Sequence, residues 1–268
     1  MCVLVALAPH AAHAQSSSLA GVLFDAEMWS PILEQYETYR VYMPPDYFVT
    51  GNERRYPTLY MLHGAGGNYT EWSDSYLPQQ LDDMIVRGDV QPMIVVMPDG
   101  GSRTFWANWD EGPAWSDYVA YDVVAEIDSR YRTVPTQASR AIGGLSMGGL
   151  GAMQVAMRHP DVFGVVGAHS PSIRLEPDPT EMWFLSQSSF IAHNPIWLAN
   201  YPSSQQMVYW LDVGTDDWWR PNIEELRDAL LGARLSLTFN VFQGTHEADY
   251  WIEHVPDYLR FYSAQLRA

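Results

Sequence analysis

Cysteine is almost missing from this chain: Cys2 is the one thiol among 268 residues. A lone thiol cannot form an internal disulfide, so the fold must be held by its core. Its place at the extreme N-terminus, outside every predicted element, discounts it as a nucleophile. Basic residues are also few. Fifteen Lys and Arg against 32 Asp and Glu leave a formal net charge of -17. A field of that sign repels nucleic-acid phosphates and anionic membranes, so neither is expected as a partner. No apolar run reaches the roughly 18 residues that a membrane helix needs. There is no internal repeat and no low-complexity block. No His-Glu-x-x-His or similar cluster occurs, so neither a metal nor another cofactor is expected.

What is present suits one large α/β domain, expected over 19–268, with a well-buried core. Hydrophobic residues make up 47% and charged residues 18%, an ordinary globular balance. Residues 1–18 resemble a shortened secretory signal or a loose N-terminus: Val3–Ala8 is apolar and Ala12-His13-Ala14 has the small-x-small form of a cleavage site. On that reading the protein is expected to be secreted or periplasmic.

Short apolar runs alternate with amphipathic stretches along the chain. Strands are predicted at Thr38–Met43, Thr58–Leu62, Met93–Met97, Arg140–Leu145, Val162–Ala168, Val208–Val213 and Leu235–Phe242. Helices are predicted at Leu77–Val86, Asp117–Tyr131, Gly148–Arg158 and Asn222–Leu231, with Tyr250–Leu266 broken near Pro256. Such alternation implies a mostly parallel sheet covered on both faces, with chemistry at the carboxyl ends of its strands. Two stretches, Ser102–Ser116 and Ser170–Ser204, fit neither template and could roof a pocket.

Gly144-Leu145-Ser146-Met147-Gly148 matches G-x-S-x-G between a predicted strand and a predicted helix. A sharp strand-to-helix turn exposes the serine hydroxyl, and side chains two positions either side would clash. Ser146 is therefore the candidate nucleophile. An oxyanion needs two backbone N–H donors: Met147 directly after the serine, and Ala65 in the glycine-rich loop His63–Gly67. His63 precedes the serine, the wrong order for a base in this arrangement, and reads as a loop residue. His246, after the last strong strand, can reach over the sheet end and is the candidate base. His169 ends a strand and is a weaker rival. His159 stands at a helix end, where a charge-dipole role suffices, and His254 falls inside the terminal helix. The acid should lie in Asp212–Asp217. Asp212 sits within the strand, and spacing alone does not separate Asp216 from Asp217.

These residues resemble the esterase D-type branch of the α/β hydrolases, which includes feruloyl and acetylxylan esterases and antigen 85-type mycolyltransferases. The resemblance rests on Val41–Pro45, His63–Gly67 followed by Trp72, Met97–Gly100, Gly144–Gly149, Gly214–Asp217 and Gly244–His246 followed by Trp251. It implies an α/β-hydrolase fold and a serine esterase with the triad Ser146, His246 and Asp217, the acid being placed by Gly-Thr-x-Asp. It agrees with Ala65 and Met147 as oxyanion donors.

Six tryptophans lie in loops expected around the site. Of these, Trp106, Trp109, Trp218 and Trp251 are candidates to stack on a sugar or a phenolic ring. The expected substrate is thus a small or polysaccharide-linked ester, carbohydrate or hydroxycinnamoyl in kind. Two rivals remain: acyl transfer to a sugar or lipid, which uses the same triad, and a non-catalytic carbohydrate-binding homologue, against which an intact triad argues.

Overall fold

The computed structural model describes residues 19–177 and 184–268. The expected leader at 1–18 lies outside the described residues. Eight strands form one sheet: β1 (Val22–Ser30), β2 (Gln35–Met43), β3 (Thr58–Leu62), β4 (Ile94–Pro98), β5 (Arg140–Leu145), β6 (Val165–His169), β7 (Val208–Gly214) and β8 (Ser236–Phe242). Their order is β1-β2-β4-β3-β5-β6-β7-β8. β2 pairs antiparallel with β1 and β4, and the remaining pairs are parallel. This is the α/β-hydrolase architecture. β3 to β6 are buried at every position, which is why they read as continuous apolar runs.

The helices are α1 (Glu71–Asp74), α2 (Leu77–Arg87), α3 (Trp115–Asp117), α4 (Val124–Arg130), α5 (Met147–Arg158), α6 (Gln187–His193), α7 (Pro195–Leu198), α8 (Arg220–Gly232) and α9 (Ala248–Gln265). Leu81 and Met84 of α2 join Val255, Leu259 and Tyr262 of α9 in the core on one face of the sheet. Met153 and Ala156 of α5 join Ile223 and Leu226 of α8 on the other. Among the described residues no helix is long and apolar enough to cross a membrane.

The structure departs from the sequence expectations in several places: α1 was not expected, and the strand expected at Val162–Ala168 runs over Val165–His169. β1 was not foreseen. It is an edge strand, and only Met28 and Ser30 in it are buried, so no apolar run marks it. The stretch expected as one helix over Asp117–Tyr131 contains a π-helical segment at Tyr118–Val123 between α3 and α4. It keeps Val119, Val123 and Ile127 inside the core. α9 runs through Pro256 without a break. Proline cannot bond the carbonyl four residues earlier, and the freed carbonyl of Ile252 instead accepts Nε2 of Gln80 at 3.2 Å. Ser170–Ser204, expected to be irregular, holds α6 and α7. Their first turns are capped by Ser186, accepting from Ser189 N, and Asn194, accepting from Ile196 N.

After β3 the chain moves outward to β4, then returns to the other side of β3 as β5. This switch in direction opens a crevice at the carboxyl ends of β3 and β5. Ser146 directly follows β5.

Candidate active site

Ser146 joins β5 to α5 at φ 51° and ψ -114°. An L-residue adopts that backbone only under strain, on the order of 1–3 kcal/mol, and only where its surroundings compel it. Here they do. The Ser146 N–H donates to the carbonyl of His169 at 3.0 Å, and its own carbonyl receives the N–H of Ser172 at 3.0 Å and of Leu150 at 3.1 Å. A Cβ at Gly144 would lie 2.4 Å from the Gly148 backbone, and one at Gly148 would lie 2.2 Å from the Leu62 carbonyl oxygen. Both glycines are therefore required by close backbone approach.

The loop after β8 delivers His246 to this serine. Nε2 of His246 is 2.8 Å from Ser146 Oγ, and Nδ1 is 2.8 Å from Asp217 Oδ2. A carboxylate can only accept, so Nδ1 carries the proton and Nε2 is the acceptor for the serine hydroxyl. The loops after β7 and β8 are tied together by Thr215 N–H to the Phe242 carbonyl at 2.7 Å and Asp216 N–H to the Gly244 carbonyl at 2.9 Å. That registers Asp217 against His246.

The two candidate acids separate clearly. Asp217 is buried. Its Oδ2 also receives the hydroxyl of Ser170, and its Oδ1 receives the N–H of Trp219 at 2.7 Å. Burial by itself would raise this carboxyl, but the hydrogen bonds from His246, Ser170 and Trp219 outweigh it and hold it below its ordinary value. Asp216 is exposed and accepts from Thr215 Oγ1.

The backbone N–H groups of Ala65 and Met147, expected as oxyanion donors, make no hydrogen bond among the described residues. Ala65 is held in a turn closed by Gly67 N–H to the Gly64 carbonyl at 3.1 Å and by Gly66 N–H to the Ser102 carbonyl at 2.7 Å. Glu71, which the sequence did not single out, supports this loop by accepting the Gly64 N–H at 2.6 Å. Burial raises the Glu71 carboxyl despite that bond. His63 is buried, and its Nε2 accepts the N–H of Gly100 at 3.0 Å. It is a loop-building residue.

The other histidines stand apart from Ser146 Oγ. His169 is fully buried beneath the site: Nδ1 is 2.8 Å from Asp212 Oδ2, Nε2 is 2.9 Å from the Tyr262 hydroxyl, and the ring stacks on Tyr258. His159 caps the C-terminus of α5, with its Nε2 3.2 Å from Asp117 Oδ1. Burial pushes its pKa down, and its ring lies between Ser116 Oγ at 3.2 Å and the Tyr121 hydroxyl at 3.1 Å. His254 packs on Phe242, with ring centroids 4.0 Å apart.

The four candidate tryptophans divide. Trp106 cannot be a substrate contact. It is 0% exposed, its Nε1 donates to the His63 carbonyl at 3.1 Å, and its ring fills the space over Gly100 and Gly151. Trp251 is buried too. It presents an edge to His246 and donates Nε1 to the His169 carbonyl at 3.2 Å, so it braces the imidazole. Trp109 is half-buried. Trp218 is 62% exposed with its ring 4.7 Å from that of His246, at the mouth of the site. One turn of α5 beyond Ser146, a small cavity of about 20 Å³ is lined in part by Phe105, Ala107, Leu150, Gln154, Phe190 and His193.

A strained serine, an imidazole and a buried carboxylate thus meet at the carboxyl edge of an α/β-hydrolase sheet. Residues 30–262 match the family described as "Putative esterase", and the chain belongs to that family. It is similar to an endo-1,4-beta-xylanase/feruloyl esterase of Xylanibacter ruminicola, with 32% identity over 158 residues, 55% of this chain and 21% of that protein. It matches an esterase of Mycobacterium tuberculosis with 32% identity over 142 residues, 52% of this chain and 30% of that one. The matches thus span about a fifth to a third of these curated relatives' length. Among solved structures, a ferulic acid esterase superposes with a TM-score of 0.81 at 24% identity, covering 92% of this chain and 98% of that one.

Proposed function

We propose that this chain is a serine carboxylic-ester hydrolase that works through an acyl-enzyme. The observation that carries the reading is the continuous relay from Ser146 Oγ through His246 to Asp217, with both steps at 2.8 Å. Nε2 of His246 takes the proton of Ser146 as Oγ attacks the ester carbonyl carbon. The negative oxygen that forms is met by the N–H groups of Met147 and Ala65. His246 returns the proton to the alkoxide leaving group, and the alcohol departs. Water then repeats the sequence: His246 takes its proton, hydroxide attacks the acyl carbon, and Ser146 Oγ leaves with the proton restored. Asp217 holds Nδ1–H in place and offsets the positive charge on the imidazole.

Several features support an aromatic or sugar-linked ester as substrate. Trp218 offers a flat face at the site mouth. The relatives named above include a feruloyl esterase. Export through residues 1–18 would suit a polysaccharide-linked ester, which is met outside the cell. The test is hydrolysis of short-acyl nitrophenyl esters, methyl ferulate and acetylated xylan side by side. Turnover of methyl ferulate well above acetylated xylan supports a hydroxycinnamoyl ester. The reverse moves the substrate to acetylated sugars, and no hydrolysis of any of them refutes the reading.

A further inference from the structure

The parallel strands β5, β6, β7 and β8 are neighbours, and the loops at their carboxyl ends carry Ser146, Ser170, Asp217 and His246 respectively. Three of these form the relay. The fourth, Ser170, has no part in the mechanism above, yet it is built into the same cluster. It is 0% exposed, and its hydroxyl donates to Oδ2 of Asp217, the oxygen that also receives Nδ1–H of His246. The direction of that bond follows from the carboxylate, which can only accept. Its backbone is held at φ 49°, where a non-glycine residue is uncommon, with its N–H bonded to the Asp212 carbonyl at 3.0 Å. The residue before it, His169, gives its carbonyl to the Ser146 N–H. The end of β6 thus touches the nucleophile through one residue and the acid through the next.

We infer that Ser170 is a positioning residue for the acid of the relay: its hydroxyl, with the Trp219 N–H on the other oxygen, locks the Asp217 carboxylate in the plane that orients His246. The inference rests on the reading of Asp217 as that acid. Without the hydroxyl, Oδ2 keeps only His246 as donor, and the carboxylate is pinned from the protein side by Trp219 alone. The imidazole then loses a fixed orientation, which slows chemistry and leaves substrate binding untouched. The hydroxyl also draws off part of the carboxylate charge. Removing it leaves more charge to hold a proton on the imidazole, so the acid limb of kcat/KM against pH moves upward. The titratable groups around Asp217 are His246 on the β8 loop, Tyr250 on α9 and Asp216 beside it on the β7 loop, which is turned to Thr215.

The experiment is a set of single and double variants on one soluble ester: Ser170→Ala and Ser170→Gly, each alone and combined with Asp217→Asn. Ser170→Ala should lower kcat about tenfold, the scale of one charge-assisted hydrogen bond, with KM within about twofold. Its acid limb should move to higher pH. Ser170→Gly, which relieves the backbone, should be equally slow, separating the hydroxyl from the strain. In the Asp217→Asn background neither change should cost more than about twofold. Wild-type kcat and pH profile in Ser170→Ala and Ser170→Gly would overturn the inference, as would a tenfold loss that persists beside Asp217→Asn. If Asp217→Asn alone keeps full activity, the acid itself is misread and the role of Ser170 falls with it.

Discussion

Nε2 of His246 lies 2.8 Å from Oγ of Ser146, although the two residues are 100 positions apart in the chain. Nothing local holds them. Ser146 is fixed by the turn between β5 and α5, and His246 by the loop after β8, so the contact depends on the sheet between them.

The strain at Ser146 gives one prediction. Ser146→Ala should lose activity by on the order of a thousandfold or more while keeping its fold. Ser146→Gly should be equally inactive but more stable than the alanine variant by about 1 kcal/mol, because glycine accepts φ 51° without penalty. Thermal denaturation of the two variants side by side checks this. An alanine variant as stable as the glycine one would mean the backbone is not strained.

The acid gives a second. Asp217→Asn should lower kcat by about a hundredfold to ten-thousandfold with little change in KM. Asp216→Asn, altering an exposed carboxylate, should stay within about tenfold of wild type. Steady-state kinetics on one ester, with circular dichroism as a folding check, decides between them. The opposite ranking would move the acid to Asp216.

The tryptophans give a third. Trp106→Ala should destabilise by about 3–5 kcal/mol, since it empties a fully buried site and orphans the His63 carbonyl. Trp218→Ala should leave the denaturation midpoint unchanged and act on KM, as its ring is mostly in solvent. Denaturant titration and KM for an aromatic ester, measured on both, test the division. A stable Trp106→Ala with raised KM would return Trp106 to the substrate.

The lowered Asp217 pKa gives a fourth. A carboxyl held below its ordinary value of 3.8 contributes stability that is fully present above that value. The contribution is lost as pH falls through the lower native value. The stability difference between wild type and Asp217→Asn should therefore shrink as pH falls below about pH 4. Urea midpoints across that range measure it. A difference that keeps growing as pH falls below about 4 would contradict the sign.

Much of this was legible in the sequence because the central strands are buried on both faces and the motif residues must sit at their ends. Ser146 lies in a pattern that backbone clashes impose, and His246 follows the last apolar run. Asp217 was separable from Asp216 only through family resemblance, since both occupy one turn and burial distinguishes them only in three dimensions. Trp106 and Trp218 read alike in sequence, as loop tryptophans near the site, yet one faces inward over two glycines and the other faces solvent. Ser170 carried no signal, because a serine after a strand is ordinary and its partner lies 47 residues away. β1 was hidden by its exposed edge, and the carbonyl that Pro256 frees in α9 is met by Gln80, a residue on another helix.

The central claim is that Ser146 alone becomes acylated. Wild type, Ser146→Ala and His246→Ala should be incubated with p-nitrophenyl acetate, quenched in acid, digested and weighed by mass spectrometry. The account predicts one acetyl group on the peptide that carries Ser146 in wild type, none in Ser146→Ala, and greatly slowed labelling in His246→Ala. Acetylation of another residue in wild type, or unchanged nitrophenol release by Ser146→Ala, would contradict it.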